Sequence, residues 1–286
     1  MTSWLKVSPA KRSDEPVKAR PYFLSLDQDE FCTHFNTLFY SYIYAQSNKR
    51  DLVVYDKSTV MSSSYALLQE TFAPLPELTY VSEMQPSVTI LHAKDTGRFA
   101  PFLSSMPIQD LRTKARYTLT WNPTMLAKML PVIEDNALPP DTTFDVGVHI
   151  RASVKFDRIR APAINVYVDA VAGVATRLGK PNISVFVMVD EMAQFEEFVR
   201  LAPKTWAIFT IQPRNSLVRG IRIGTLARQN GNTKMAAYVE YLTGLYCMQK
   251  CENLVCNLSN DMDRFLYLTA SAQSFRSLDV PTWAPF

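Results

Sequence analysis

The second half of the chain alternates between two patterns of hydrophobic and polar residues. Short runs of branched and aromatic residues at 144–150 (FDVGVHI) and 182–190 (NISVFVMVD) have the length and composition of buried strands. Residues 161–179 and 191–203 instead repeat apolar side chains every three or four positions, which predicts amphipathic helices. The same patterns predict further strands at 206–211 and 253–259 and further helices at 233–252 and 260–274.

Strands that alternate with helices predict a parallel sheet covered by helices on both faces. Right-handed crossovers bring the carboxyl ends of the strands to one edge of such a sheet, and ligands bind at that edge. The residues that end the strands at 144–150 and 253–259 should therefore meet at one crevice.

The first half of the chain is less regular. Residues 27–50 carry apolar side chains spaced by three and four, with acidic residues at the start and basic ones at the end, which predicts a helix. Residues 51–56 (DLVVYD) then predict a short buried strand. Residues 57–140 mix strand and helix signals, and the proline pair within 137–141 (ALPPD) is the strongest candidate for a linker.

Composition and charge point to a folded protein without a nucleic-acid partner. The chain has 286 residues, of which 47% are apolar and 20% charged. Its net charge of +3 lies within residues 1–20, a predicted mobile tail with five basic and two acidic side chains. The rest of the chain is neutral overall and lacks the basic stripe of a nucleic-acid-binding protein.

The chain also lacks the sequence signals of membrane insertion and secretion. No apolar stretch reaches the roughly 20 residues that a membrane span needs. The N-terminus has no apolar segment of the kind found in signal peptides. A cytosolic location and no membrane span are therefore the expectation.

Three of the four cysteines, Cys247, Cys251 and Cys256, fall within ten residues, whereas Cys32 stands apart. Structural zinc sites prefer two closely spaced pairs of ligands, which this spacing does not provide. The chain has three histidines, none of them near this cluster. We therefore expect buried free thiols and no metal site.

Polar residues follow the two strands that should meet at the crevice. His149 and Arg151 end the strand at 144–150, and Ser259 and Asn260 end the strand at 253–259. An arginine opposite the N-terminus of a helix suits a diphosphate, because the guanidinium and the free backbone amides all donate to an anion. A structural ion pair for His149 and Arg151, with an ordinary N-cap at Ser259 and Asn260, is the other interpretation of these residue types.

Four stretches in a fixed order resemble one protein family. They are FNTLFYSYIYAQSNKRDLVVYD (35–56), VGVHIRASVK (146–155), SVFVMVDEMAQFEEF (184–198) and CENLVCNLSNDMDRFLYL (251–268). In this order they resemble the fucosyltransferase-like GT-B glycosyltransferases, which include the α1,6- and protein O-fucosyltransferases and the bacterial nodulation fucosyltransferase. The resemblance extends over about residues 22–280.

The resemblance implies an α/β fold of the GT-B type, in which two Rossmann-like domains with mostly parallel sheets face a cleft. The expected division is a mobile basic tail at 1–20, an acceptor-side domain at 21–138 and a nucleotide-sugar-binding domain at 139–286. The implied activity is inverting, metal-independent transfer of a sugar to a glycan hydroxyl, with GDP-fucose as the first expected donor. The implied partners are that nucleotide sugar and a glycan acceptor, without a prosthetic group, and a homodimer is left open.

The family also implies roles for individual residues. The arginine that matches Arg151 binds the β-phosphate of the donor, and the histidine that matches His149 contacts the nucleotide. Ser259 and Asn260 match a serine pair that helps to hold the diphosphate. Asn36 matches an asparagine that faces the cleft.

Several positions depart from the family pattern and leave alternatives open. Ala152 and Val154 stand where the family has an arginine and an aspartate, and Gly244 stands where it has an acidic residue that contacts guanine. Glu240, one helical turn earlier, is the expected substitute for that acidic residue. The alternatives are a transferase that uses a UDP-sugar such as UDP-xylose, a non-catalytic nucleotide- or glycan-binding relative, and a scaffold that binds its partner through the basic tail. The general base is not separable among Asp27, Asp29, Glu30 and Asp95.

Overall fold

A computed structural model describes most of the chain. The described residues are 22–26, 31–56, 71–81, 89–92, 96–139, 141–151, 162–189, 191–212 and 231–284. The predicted tail at 1–20, the four candidate bases and the two departures Ala152 and Val154 lie outside them.

The first half forms a parallel sheet of four strands in the order β3-β2-β1-β4. These strands are β1 (Tyr22–Leu26), β2 (Leu52–Asp56), β3 (Leu78–Val81) and β4 (Thr89–His92). The helices of this half are α1 (Phe31–Ser47), α2 (Thr96–Ser104), α3 (Ile108–Thr118) and α4 (Pro123–Asp135). The prediction of basic residues in the last turn of α1 was wrong, because the helix ends before Lys49, which has a positive φ of 54° in the following turn.

The second half forms a parallel sheet of five strands in the order β7-β6-β5-β8-β9. These strands are β5 (Phe144–Ile150), β6 (Ser184–Val189), β7 (Ala207–Phe209), β8 (Cys251–Cys256) and β9 (Ser274–Ser277). The helices are α5 (Ile164–Leu178), α6 (Met192–Leu201), α7 (Gly231–Gln249) and α8 (Asp261–Thr269). Every described strand pair is parallel, so the predicted α/β class is confirmed.

Two predicted boundaries in the second half were wrong. Cys251 was placed at the end of a helix, but it begins β8 and pairs with Phe144 of β5. Ser274 was placed in the last helix, but it begins β9 and pairs with Asn253. In both cases pairing with the neighbouring strand decides the conformation, and a helical period cannot show this.

One hydrophobic core extends through both halves of the chain, and a second packs α5 and α6 against the second sheet. Phe35 and Phe72 of the first half contact Phe265 of the second half, with ring centroids 5.6 Å and 6.5 Å from that ring. Through these contacts α8 packs against helices of the first half. The predicted boundary between residues 138 and 139 falls between the last strand of one sheet and the first strand of the other. The halves are therefore separate in topology and joined in packing.

All four cysteines are free and buried, as the sequence predicted. Burial raises the pKa of the Cys247 thiol to about 12 and that of Cys256 well above its ordinary value. These thiols are therefore protonated and inert at neutral pH.

None of the helices within the described ranges is long and apolar enough to cross a membrane.

Candidate functional site

The candidate site lies where the chain changes direction in the second sheet. From β5 the chain proceeds outward to β6 and β7, and it then returns to β8 on the other side of β5. The carboxyl ends of β5 and β8 therefore flank a topological switch point, which is where open α/β sheets bind ligands. Arg151 follows β5, and residues 257–260 follow β8, so the structure brings the two predicted groups of residues to the same edge.

His149 is buried at this edge and pairs with Asp263 of α8. Its Nδ1 atom lies 2.8 Å from Oδ1 of Asp263, and the two side chains are 2% and 0% exposed. The other carboxylate oxygen accepts the backbone N–H of Asn257 at 3.0 Å. Burial raises the pKa of Asp263 above its ordinary value, and His149 and the Asn257 amide offset part of that rise. His149 thus has a structural partner, as the other interpretation of these residue types predicted, but the partner is Asp263 and the contact is a buried hydrogen bond.

Arg151 is half-buried beside this pair. Its backbone lies close to the hydroxyl oxygen of Tyr167, which accepts a hydrogen bond from the amide nitrogen of Asn257 at 2.6 Å. Burial raises the pKa of Tyr167 to about 12, so its hydroxyl stays neutral. Across the described ranges no carboxylate pairs with the guanidinium of Arg151. Its backbone is held in place while its cationic group keeps the capacity to bind an anion.

Ser259 and Asn260 both have structural partners. The hydroxyl and the backbone N–H of Ser259 donate to Asp279, which also accepts from Ser277. Burial alone would raise the pKa of Asp279, but hydrogen bonds from Ser259, Ser277 and the backbone of Val280 hold it below its ordinary value. Asn260 is the N-cap of α8, since its side-chain oxygen accepts the backbone N–H of Met262 at 2.9 Å. The predicted N-cap interpretation is therefore confirmed for Asn260.

Carboxylates occupy the first turn of α8, where the predicted anion would bind. Asp261 and Asp263 both lie there, and the helix dipole favours negative charge at that end. Asp261 also accepts the hydroxyl of Thr33 at 2.6 Å and the guanidinium of Arg264 at 3.1 Å. Among the described residues, Arg151 is therefore the cationic side chain at this edge that no carboxylate pairs, and it is the candidate partner for a diphosphate.

Asn36 of α1 brings the first half of the chain to the same place. Its amide nitrogen donates to the backbone oxygen of Asp261 at 2.8 Å. The side chain is 4% exposed, and its Oδ1 atom accepts no hydrogen bond from any described residue. Asn36 therefore lies between the two halves beside α8, and its role in facing a ligand cleft stays a prediction.

Glu240 and Gly244 lie one turn apart on α7. Glu240 is buried, and a Cβ atom at Gly244 would lie 3.2 Å from the terminal methyl of Met188 on β6. Any side chain at position 244 would therefore press on the flexible end of Met188, which would have to shift slightly to admit it. No described contact joins Glu240 to His149 or Arg151, and its predicted role toward guanine stays a prediction.

Sequence reasoning missed several members of this network. Asp263 was read as a residue of the helix that follows the N-cap, and Tyr167 and Asp279 were not considered. Asp263 contacts a histidine 114 residues away in the sequence, so no local pattern signals the pair. Among the described residues, no three His, Cys, Asp or Glu side chains gather as metal ligands would.

Comparison with known proteins finds similarity in structure and none in sequence. Neither a family model nor a curated protein matches the sequence. A variant of Arabidopsis thaliana FUT1 in complex with GDP has a TM-score of 0.50 at 12% identity, over 91% of this chain and 71% of its own. Fucosyltransferase NodZ from Bradyrhizobium has a TM-score of 0.49 at 13% identity, over 88% of this chain and 94% of its own. A glycosyl transferase of family 9 from Veillonella parvula has a TM-score of 0.42 at 10% identity, over 93% of this chain and 84% of its own.

At these identities the comparison establishes the fold. The chain has the fold of the fucosyltransferase-like GT-B glycosyltransferases, and the resemblance predicted from the sequence is confirmed at that level.

Proposed function

We propose that the chain is a glycosyltransferase that moves a sugar from a nucleotide sugar to a hydroxyl group of a glycan. The observation that carries the proposal is that Arg151, whose guanidinium no described carboxylate pairs, follows β5 two residues after the buried His149, at the switch point between β5 and β8. A cationic group at this edge of such a sheet suits a nucleotide diphosphate. A protein of this fold has been solved in complex with GDP, which is consistent with that ligand.

The proposed reaction is a displacement with inversion. The acceptor hydroxyl oxygen forms a bond to the anomeric carbon while the bond from that carbon to the β-phosphate oxygen breaks. The electron pair of the broken bond stays on the diphosphate, and Arg151 stabilises the negative charge that develops there. The hydroxyl proton passes to a base that we do not assign, since the candidates Asp27, Asp29, Glu30 and Asp95 lie outside the described residues.

Asn260 and Ser259 are proposed as further donors to the diphosphate. The amide oxygen of Asn260 caps α8, which leaves its Nδ2 group to donate. Ser259 can donate its hydroxyl proton only when it leaves Asp279. Asn36 lies at the junction of the two halves. Its Oδ1 atom is proposed to accept a hydrogen bond from a hydroxyl group of the nucleotide sugar or of the acceptor glycan.

GDP-fucose is the first proposed donor, and a UDP-sugar such as UDP-xylose is the alternative. The alternative is favoured by Gly244, which lacks the acidic side chain that contacts guanine in the family and packs closely against Met188. Guanine recognition would then depend on Glu240, which is buried on the same face of α7 one turn earlier.

A non-catalytic binding protein is the second candidate function. It is favoured by the carboxylates of Asp261, Asp263 and Asp279 at the crevice, because they engage donors that a diphosphate would otherwise use. The identity of the acceptor glycan, a homodimeric assembly and a cytosolic location stay predictions from the sequence.

Donor turnover distinguishes the two candidates. The protein would be incubated with radiolabelled GDP-fucose or UDP-xylose and a mixture of glycans, and sugar transfer and donor hydrolysis would be measured. We expect turnover of one donor and a loss of about 100-fold or more in Arg151→Ala. Arg200→Ala is the matched control, because Arg200 is an exposed arginine of the same half and pairs with Glu197 at the surface.

Full turnover in a folded Arg151→Ala variant would refute the role of Arg151. Nucleotide binding without turnover of either donor would favour the non-catalytic candidate.

A further inference from the structure

We propose that Asp263 is a positioning residue that fixes which ring nitrogen of His149 carries the proton. The inference rests on the proposed function, because its consequence is the way in which His149 meets a nucleotide sugar. Neither the sequence pattern nor the structural comparison assigns a role to Asp263.

The geometry leaves one arrangement of protons for an ionised carboxylate. Oδ1 of Asp263 lies 2.8 Å from Nδ1 of His149, and Oδ2 accepts the backbone N–H of Asn257 at 3.0 Å. A carboxylate can only accept hydrogen bonds, so Nδ1 must carry the proton and donate it. Nε2 is then the acceptor nitrogen of the neutral ring.

The carboxylate is itself held firmly. Asp263 lies in the first turn of α8, where the helix dipole favours its charge, and its side chain is fully buried. The same helix is capped by Asn260 and anchored by Phe265, whose ring contacts Phe35 and Phe72 of the first half. The imidazole is thus fixed by a side chain on a rigid element.

The fixed tautomer divides the work between the two predicted residues at the end of β5. Arg151 has donors and no acceptor, which suits phosphate oxygens. A ligand group that binds to Nε2 of His149 must donate a hydrogen bond, as a ribose or sugar hydroxyl does and a phosphate oxygen does not. Asp263 therefore directs His149 toward a hydroxyl of the ligand.

Asp263→Asn tests this directly, because the amide has one acceptor and one donor end. The backbone N–H of Asn257 must donate to the amide oxygen, so the NH₂ group faces Nδ1 of His149. Nδ1 must then accept, and the proton moves to Nε2. The substitution keeps the shape of the side chain and reverses the tautomer.

Nitrogen-15 NMR of the imidazole rings measures the tautomer without any ligand. The chain has three histidines, so His149→Gln assigns the signals of His149. We expect a proton on Nδ1 in the wild type and on Nε2 in Asp263→Asn. A wild-type ring protonated on Nε2 would overturn the inference even if the variant did not fold, and so would an unchanged ring in a folded variant.

Titration with GDP and UDP measures the consequence for binding. We expect Asp263→Asn to lower the affinity for the nucleotide that the wild type binds by about 10-fold or more, as the loss of a supporting partner does at other sites. Asp145→Asn is the matched control, because Asp145 lies near the start of the same strand and binds Lys180 and Ser184, whereas His149 lies near its end. An altered tautomer with unchanged nucleotide affinity would overturn the inference, whereas a wild type that binds neither nucleotide would overturn the proposed function.

Discussion

Successive residues of β5 meet different physical demands. Val146, Val148 and Ile150 are fully buried in the core under α5. Between them, Gly147 approaches β8 too closely to carry a side chain, and His149 reaches Asp263. Packing therefore fixes one face of the strand, and the other face brings a polar residue to the edge of the sheet.

Gly147→Ala should destabilise the protein by about 1–3 kcal/mol, because the core is already filled there. The added methyl would lie 2.6 Å from Sγ of Cys251 and 2.8 Å from Cδ2 of Leu254. Urea denaturation measures the change in the free energy of unfolding. Gly173→Ala is the control. Gly173 lies within α5, and its added methyl would meet only the flexible end of Arg276. Alanine in a helix is also more stable than glycine by about 1 kcal/mol. Equal stability of Gly147→Ala and wild type would contradict the packing described for β5.

Asn260 has a capping role and a proposed binding role, and two substitutions separate them. Asn260→Ala should lower the free energy of unfolding by about 1 kcal/mol, whereas Asn260→Ser should retain most of the stability because serine also caps helices. Both variants should bind the nucleotide more weakly, since both lack the amide donor. Asn122→Ala removes the N-cap of α4 and should reduce stability alone. Wild-type nucleotide affinity in Asn260→Ser would leave Asn260 a purely structural residue.

Among the elements, β5 and β6 are joined at their beginnings by Asp145. Its carboxylate accepts the backbone N–H and the hydroxyl of Ser184 and the ammonium group of Lys180, at 2.8, 2.9 and 2.7 Å. Burial alone would raise the pKa of Asp145, but these hydrogen bonds lower it below its ordinary value.

The stability of the protein should therefore fall in acid, in part through Asp145. The pKa of Asp145 in the folded protein lies below the unfolded value of about 3.9. Its stabilisation is therefore complete above about pH 5 and is lost as the pH falls through the unfolded pKa and then the folded pKa. Denaturation at a series of pH values should give a shallower acid limb for Asp145→Asn than for the wild type. Parallel limbs would show that Asp145 has the same pKa in both states.

The sequence predicted the elements whose period is strong and missed those that depend on pairing. The helix at α5 and the strands at β5 and β6 were found because their apolar positions follow a helix or strand period. β9 was missed because its four residues, Ser274–Ser277, are partly exposed and owe their conformation to pairing with β8. At the site, the positions of His149 and Arg151 followed from the parallel sheet, whereas Asp263 required knowledge of how α8 packs.

At the scale of the whole molecule, the shared core should make the two halves unfold together. Phe265 of α8 contacts Phe35 and Phe72, and Trp121 of the first half donates to Gln249 of α7 at 2.6 Å. Neither half can lose these contacts without exposing apolar surface of the other. Tryptophan fluorescence and circular dichroism should therefore give coincident unfolding transitions. Two separate transitions would mean that the halves are independent domains.

The central claim is that Arg151 binds a nucleotide diphosphate at the switch point of the second sheet. Thermal unfolding with GDP, UDP, GDP-fucose and UDP-xylose tests it most directly, because a ligand that binds the folded state raises the apparent stability. We predict that one pair of ligands, either GDP and GDP-fucose or UDP and UDP-xylose, raises the Tm of the wild type and of Arg200→Ala. The same pair should leave the Tm of Arg151→Ala unchanged. No shift in the wild type with any of the four, or the same shift in Arg151→Ala, would contradict the claim.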